Sequence, residues 1–437
     1  MKRTALALTF VFALFFSVAA GEILSVRLAV AEPTTQWIKT YSSLDGTGYA
    51  VIQTMDEGYA IAGVNNGKFL LLKVEPSGDF QWSKTYGDGA PNSLVQTNDG
   101  GYALAGLNNY GLANFIKTDP EGNMQWNKTY ESPYGANFCV QSLIQTSDGG
   151  YAIAGYTYNW NTDWFIKTDE SGNIQWNKTY GMRFGFSLVE ADDGGYVIIV
   201  SGGIITQSAD TFLVKIDVNG NVQWNKTCIS ASSLIKTDDG GYMLAGSLDG
   251  ISWLEKRDLQ GKRQWKGSYA GENSYPLSAV SSVAQAHDGG YIIAGAIASA
   301  PFTFFEGIAR IIKTDSNGNT EWILYPPLGE STEVGYYTAN SIIVADDGEY
   351  VFTGSNSGVV WLVKIGEKPT ATPTPSPTPT PSPTPSPSPS PSSSPSPVAT
   401  PSNQQPEPFP TTLVAASVAS VAVVGAGLIF YLRKRKH

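Results

Sequence analysis

Histidine and cysteine are almost absent from this chain, and that removes much chemistry at once. Only His287 and the terminal His437 occur in 437 residues. His287 stands at a turn position that other stretches fill with Asn98, Ser147, Asp192 or Asp238, so it reads as a surface turn residue. Ser-His-Asp and Cys-His arrangements and multi-histidine metal sites are therefore not expected. The two cysteines, Cys139 and Cys228, fall at different places in a repeating pattern, which argues against a disulfide between them. A large core makes a disulfide unnecessary, and both are expected as free, buried thiols. Helical periodicity is missing too: no stretch of residues 32–367 places apolar side chains at 3.6-residue spacing. No catalytic residue, metal site or cofactor is assigned, and an enzyme is not expected.

What the chain has instead is repetition. Asp148-Gly-Gly-Tyr-Ala-Ile-Ala-Gly155 recurs in variant form around Tyr59, Tyr102, Tyr151, Tyr196, Tyr242, Tyr291 and Tyr350. Its companion, which ends in Ile174-Gln-Trp-Asn-Lys-Thr-Tyr180, recurs at Trp37, Trp82, Trp126, Trp176, Trp224, Trp265 and Trp322. Within one unit, residues 142–146 form a first strand, and Ser147-Asp-Gly-Gly150 is a turn whose glycines supply positive φ. Residues 151–155 are a second strand, 164–168 a third, 169–173 a tight turn and 174–180 a fourth. Four short antiparallel strands in somewhat under fifty residues match one β-propeller blade. The last unit stops after its third strand, whereas the chain opens with a lone fourth strand at residues 36–41. That strand completes the last unit. The expected fold is all-β, a seven-bladed β-propeller closed by its N-terminal strand, which leaves no exposed sheet edge at a ring opening.

The flanks add topology. A short basic region, an apolar run and Ala29-Val-Ala31 read as a signal peptide over residues 1–31. The propeller then occupies residues 32–367. Residues 368–410 are dominated by Pro, Thr and Ser and form a disordered stalk, at about 3.1 Å per residue on the order of 100 Å long. Residues 411–432, uncharged from 412 onward, are long enough for one transmembrane helix. Residues 433–437, with Arg433-Lys-Arg-Lys436, form a cytoplasmic basic tail. Net charge is −10 overall and more negative once the leader and tail are set aside, which argues against nucleic acid as a partner. Asn127-Lys-Thr, Asn177-Lys-Thr and Asn225-Lys-Thr are sequons at one place in the repeat, so Asn127, Asn177 and Asn225 are glycosylation candidates on the fourth strand.

On these motifs the chain resembles the propeller repeats of secreted and surface proteins of bacteria and archaea. The motifs are Trp-x-Lys-Thr-Tyr, Asp-Gly-Gly-Tyr-x-x-Ala-Gly and Lys-Thr-Asp-x-x-Gly-Asn. The Pro/Thr/Ser stalk with its hydrophobic, basic ending resembles the anchors of archaeal surface proteins. The blades are loosely similar to quinoprotein propellers, without the adjacent-cysteine or calcium-cofactor constellation of that family. The resemblance implies an architecture and a surface location and leaves activity open.

Most carboxylates stand at repeated turns, for example Asp99, Asp148, Asp193 and Asp239, where capping the turn is the simplest role. The two turn types are nearly uniform, so one face of the ring is monotonous. The second-to-third and unit-to-unit connections differ throughout and open on the other face. Variable loops on a rigid scaffold are where binding sites are built. The loop-face candidates are Tyr156, Tyr158, Trp160, Trp164, Phe302, Phe304, Phe305, Tyr336 and Tyr337, aromatics suited to sugars or peptides. The expected function is a non-catalytic binding or adhesion module at the cell surface, anchored in the membrane by its C-terminal helix, with carbohydrate or protein as partner. The alternatives are an extracellular lyase or glycosidase and a structural surface-layer component.

Overall fold

The computed structural model describes residues 33–131, 138–157, 162–180, 184–201, 211–270, 277–298, 307–326 and 337–367. All lie in one compact unit, Met1–Pro373. The expected leader, the stalk beyond residue 367, the membrane helix and the basic tail lie outside the described residues. Among the described residues no helix is long and apolar enough to cross a membrane.

All regular structure is antiparallel β. The chain begins with β1 (Pro33–Gln53), β2 (Tyr59–Asn65), β3 (Lys68–Val74) and β4 (Phe80–Gln96), then β5 (Tyr102–Asn108), β6 (Ala113–Thr118) and β7 (Met124–Tyr130). Repeat 3 is β8 (Phe138–Gln145), β9 (Tyr151–Thr157), β10 (Thr162–Thr168) and β11 (Ile174–Lys178). Repeat 4 is β12 (Phe184–Glu190), β13 (Tyr196–Ser201), β14 (Thr211–Ile216) and β15 (Val222–Cys228). Repeat 5 is β16 (Ala231–Lys236), β17 (Tyr242–Leu248), β18 (Ile251–Arg257) and β19 (Arg263–Tyr269). Repeat 6 is β20 (Leu277–Gln285), β21 (Tyr291–Ala298), β22 (Gly307–Thr314) and β23 (Thr320–Leu324), and the chain ends in β24 (Tyr337–Val344), β25 (Tyr350–Asn356) and β26 (Val359–Glu367).

Repeats 3 to 6 are separate four-stranded sheets, while the remaining strands form one ten-stranded sheet in the order β24-β25-β26-β1-β2-β3-β4-β5-β6-β7. Two long strands cause that merger. The first part of β1 pairs with β26 (Trp37↔Lys364) and its second part with β2 (Val51↔Ile61). Likewise β4 pairs with β3 up to Asp88 and with β5 from Gly89. The lone N-terminal strand thus lies beside β26, where the last repeat lacks a fourth strand.

Burial follows strand order. The second and third strands are covered on both faces, so Tyr151–Gly155 and Trp164–Thr168 are buried throughout, whereas β7 and β15 are mostly exposed, with a partly covered tryptophan and a buried last residue. Packing between sheets is aromatic: Phe115, Tyr130 and the partly buried Trp126 of one repeat meet Tyr151, Ile153 and Trp164 of the next in a single cluster. Phe115 meets Trp126 and Tyr151 edge-on, both with centroids 4.9 Å apart. Burying one such side chain contributes roughly 1.5–3 kcal/mol, so each interface is held mainly by these contacts.

The Gly-Gly of the first turn has two distinct causes. Gly149 takes φ 85°, which few side-chain-bearing residues adopt. Gly150 has no such requirement, but a Cβ there would lie 2.2 Å from the Thr168 carbonyl oxygen and 2.8 Å from Lys167 Nζ. The first glycine permits the bend; the second lets the third strand and its lysine come close.

Candidate functional site

The two ends of the strands differ in how tightly they are specified. At one end, residues 146–150 close with Thr146 N–H donating to the Gly150 carbonyl and Gly149 N–H to the Thr146 carbonyl. The same pair of bonds recurs at 54–58 in one-residue-varied form and at 97–101, 191–195, 237–241, 286–290 and 345–349. The third-to-fourth turns, such as 119–123, 169–173 and 217–221, repeat another fixed pattern. This is the uniform face.

Each first turn is tied down by a lysine that sequence reasoning left unassigned. Lys167 is buried on β10, and its Nζ donates to both Asp148 carboxylate oxygens at 2.8 and 3.0 Å and to the Thr168 carbonyl at 2.9 Å. Burial alone would raise the Asp148 pKa, but bonds from Lys167, Thr146 and Gly150 outweigh it and hold the carboxyl below its usual range. Lys73, Lys117, Lys215, Lys256, Lys313 and Lys364 pair with Asp56, Asp99, Asp193, Asp239, Asp288 and Asp347 in the same way. The signal was present in sequence as the Lys of Lys-Thr-Asp. The turn aspartates therefore cap their turns and bind a buried cation in addition.

The opposite ends form the loop face, which is uneven. Repeats 1, 5 and 7 close their second and third strands with two-residue turns, Asn66-Gly67, Asp249-Gly250 and Ser357-Gly358, all at positive φ. That is the geometry that suits strand twist in a tight hairpin. Repeat 2 uses a longer turn containing Tyr110, 83% exposed, a loop-face aromatic that the sequence reading missed. Its signal is its place between β5 and β6. Beside the Asp249-Gly250 turn, Leu248 and Ile251 face each other across the hairpin and are both exposed.

Of the expected loop-face aromatics, Tyr156 lies half-buried on β9 opposite Cys139 and Asp163. Trp164 and Tyr337 are corrections: each is only 2% exposed and belongs to the core. Trp164 packs edge-on against Phe138 at 4.7 Å, and its indole N–H donates to Asn177 Oδ1 at 3.2 Å. Tyr337 packs on Trp361 at 5.8 Å. In both repeats, the start of the inner strand covers the third-strand tryptophan, so the strand pairing buries what looked like a loop residue. Tyr158, Trp160, Phe302, Phe304, Phe305 and Tyr336 lie outside the described residues.

Asn127, Asn177 and Asn225 are exposed on β7, β11 and β15. Cys139 and Cys228 are free and buried. Burial pushes the Cys139 thiol up, and that of Cys228 to about 12, so neither is a ready nucleophile. Among the described residues no group of three His, Cys, Asp or Glu side chains is placed to hold a metal ion.

Comparison with known proteins bears on the fold. No family model matches the chain. No curated protein matches it. Among solved structures it is similar to the WD40 β-propeller domain of Doa1, at 16% identity and TM-score 0.53, over 77% of this chain and 98% of that one. It is also similar to an inactive virginiamycin B lyase from Staphylococcus aureus crystallised with quinupristin, at 12% identity and TM-score 0.51, over 76% of this chain and 99% of that one. At such identities the likeness is one of fold alone. The fold is a β-propeller, and the repeats are its blades.

Proposed function

We propose that the chain is a seven-bladed propeller displayed outside the cell that binds a carbohydrate or protein partner through its loop face without catalysing a reaction. In this reading residues 1–31 direct export, residues 368–410 are a stalk, and residues 411–432 anchor the protein, with residues 433–437 in the cytoplasm. The blade count is supported by seven lysine–aspartate turns. Ring closure is supported by contacts that join the last blade to the first beyond the β26–β1 pairing. Val51 N–H donates to Ser341 Oγ at 3.2 Å, Asn340 Nδ2 to the Gly48 carbonyl at 2.9 Å, and Asp346 N–H to Gln53 Oε1 at 2.8 Å.

One observation carries the functional part: the contrast between a face of repeated turns and a face whose connections range from two-residue hairpins to the interval between Leu324 and Tyr337. Turn uniformity serves folding, while variation at a fixed place in a rigid scaffold is what a binding surface needs. The exposed asparagines of the three sequons fit an exported, glycosylated outer rim. A lyase or glycosidase remains the alternative, with only the likeness in fold to one lyase behind it.

The test is binding of the full chain to glycan and peptide arrays, alongside a Tyr156→Ala/Tyr158→Ala/Trp160→Ala variant. Trp164 is left in place because it is core. Binding that the variant loses, with its circular dichroism unchanged, is expected. Binding that the folded variant keeps in full, or none by either protein, overturns the loop-face assignment.

A further inference from the structure

The uniform face carries a groove that the loop-face reading does not use. Between blades 2 and 3 lies a hollow of about 360 Å³ whose walls include Asn98, Asp99, Lys117, Trp126, Tyr151 and Glu170. A second hollow of about 390 Å³ shares Asn98 and Gln145 with it and reaches Glu190 on blade 4. The walls mix polar groups with apolar surface, including the partly buried Trp126 indole and, in the second hollow, Val95 and Ile144.

Which wall groups remain available decides what the groove takes. Lys117 is not available: its buried Nζ donates to Asp99 at 2.8 and 3.0 Å, to Gln125 Oε1 at 3.0 Å and to the Thr118 carbonyl at 2.8 Å. Tyr151 is different. It is 1% exposed, yet its hydroxyl has no hydrogen-bond partner among the described residues, and it lines the hollow. That hydroxyl is not sealed from solvent, so it faces the hollow as a donor that a ligand can engage. The equivalent hydroxyls of two other blades are engaged: that of Tyr59 accepts from Lys364 Nζ at 3.2 Å, and that of Tyr350 donates to Glu367 Oε1 at 3.1 Å. The Tyr242 hydroxyl is also unpaired, but it is sealed from solvent. Burial, then the charges of Asp99 and Glu170, push the Tyr151 phenol up to about 12, so it stays a donor. The Asn98 amide and the Glu170 carboxylate likewise make no side-chain hydrogen bond to the described residues, and both line the hollow. The groove thus offers a phenol donor, and from the exposed Asn98 and Glu170 an amide that donates and accepts and a carboxylate acceptor. Asp99 and Glu170 oppose an anionic ligand, since the lysine in the wall, Lys117, is already bound.

We propose that this inter-blade groove binds a saccharide carrying no acidic group. A sugar hydroxyl accepts from Tyr151 while donating to Glu170, which neither an apolar ligand nor a carboxylated one does. The site lies on the face opposite the loops and is independent of the loop-face reading. The hydroxyls of Tyr102, Tyr196 and Tyr291 likewise make no hydrogen bond to the described residues, and the proposal is confined to Tyr151, which lines the hollow.

The experiment is an array of neutral, amino and acidic oligosaccharides probed with the full chain and with Tyr151→Phe, Glu170→Gln, Tyr242→Phe and Tyr156→Ala variants. Tyr151→Phe keeps the ring in the core, so folding is expected to survive. The expected result is binding of neutral or amino sugars and not of acidic ones. That binding should weaken about tenfold in Tyr151→Phe and in Glu170→Gln, as loss of one hydrogen bond to the ligand gives. It should be unchanged in Tyr242→Phe. The proposal is overturned if no sugar binds or if acidic sugars are preferred. It is also overturned if Tyr151→Phe binds within about twofold of the unsubstituted chain. Binding lost only in Tyr156→Ala belongs to the loop face and counts against the groove.

Discussion

At the scale of single residues, the interface between blades 4 and 5 shows how the repeat tolerates exceptions. In most blades a tyrosine ending the outer strand donates its hydroxyl to a turn carbonyl of the next blade, as Tyr130 does to Gly172 and Tyr86 to Gly122, both at 2.7 Å. Blade 4 has Cys228 at that place. The vacated carbonyl, that of Gly261, instead accepts from Arg257 Nη1 at 2.7 Å, while Nη2 reaches back to the Thr227 carbonyl at 2.7 Å. Arg257 stands where blade 3 has Thr168, and Glu255, which pairs with it, stands where blade 3 has Ile166. Three departures from the repeat thus compensate one another. Arg257→Thr alone should cost roughly 3–5 kcal/mol, because it leaves the buried Glu255 carboxylate with only the exposed Arg263, 3.8 Å away. Cys228→Tyr alone should cost about 1–3 kcal/mol, because the new ring meets Arg257. The triple Cys228→Tyr/Glu255→Ile/Arg257→Thr should return close to the unsubstituted stability. Urea unfolding midpoints check this, and additive losses in the triple variant would show that the three residues do not form one unit.

At the scale of the element, the hairpin turn is the unit that the sequence exposes best and least completely. The aspartates and glycines of residues 147–150 and 169–173 are turn chemistry visible in any one repeat, and strand placement followed from them. The lysine beneath the turn was visible as the Lys of Lys-Thr-Asp, but its role was not legible, because lysine is read as exposed by default and its burial depends on a partner known only from the fold. Trp164 and Tyr337 failed for the converse reason: an aromatic near a loop looks exposed until the start of the first strand, Phe138 in one repeat and Tyr337 itself in the other, is seen to pack on the third-strand tryptophan. The lysine–aspartate turns also set acid stability. Asp239 is raised by burial, but Lys256, Thr237 and Gly241 more than reverse this and bring it down to about 2. A carboxyl depressed in the folded state contributes stability that is present above its unfolded pKa of about 3.9 and is lost as pH falls through the folded value. Asp56, Asp99, Asp148, Asp193 and Asp347 shift in the same direction. Stability should therefore fall between about pH 4 and about pH 2. Asp239→Asn should flatten part of that fall, as read from unfolding midpoints against pH; an unchanged slope would deny the turns this role.

At the scale of the whole molecule, what matters is how the first blade meets the last. Closure was legible because it is a matter of counting: a fourth strand without a blade at one end and a blade without a fourth strand at the other. The inner lacing was not read, although its serine recurs as Ser93, Ser142, Ser187, Ser233 and Ser282, each accepting a backbone N–H of the next blade, because a small polar residue on a first strand shows its partner only once β24 lies beside β1. Two sets of contacts now divide the task. The outer set is the pairing of residues 33–40 with β26, together with Tyr41, whose hydroxyl donates to the Gly78 carbonyl at 2.9 Å. The inner set is Ser341–Val51, Asn340–Gly48 and Gln53–Asp346, which does not involve the N-terminal segment. Deleting residues 33–41 should therefore destabilise the ring without abolishing it. The loss of several net hydrogen bonds at about 1 kcal/mol each puts the cost on the order of 5 kcal/mol. The deletion also bares the β26 edge, a template for pairing with another chain. The expected outcome is a lower unfolding midpoint with near-native circular dichroism, and concentration-dependent association in size-exclusion chromatography. A deletion that melts as the complete chain does would mean that the inner lacing alone closes the ring. Loss of all structure would mean that the lacing contributes nothing without the strand.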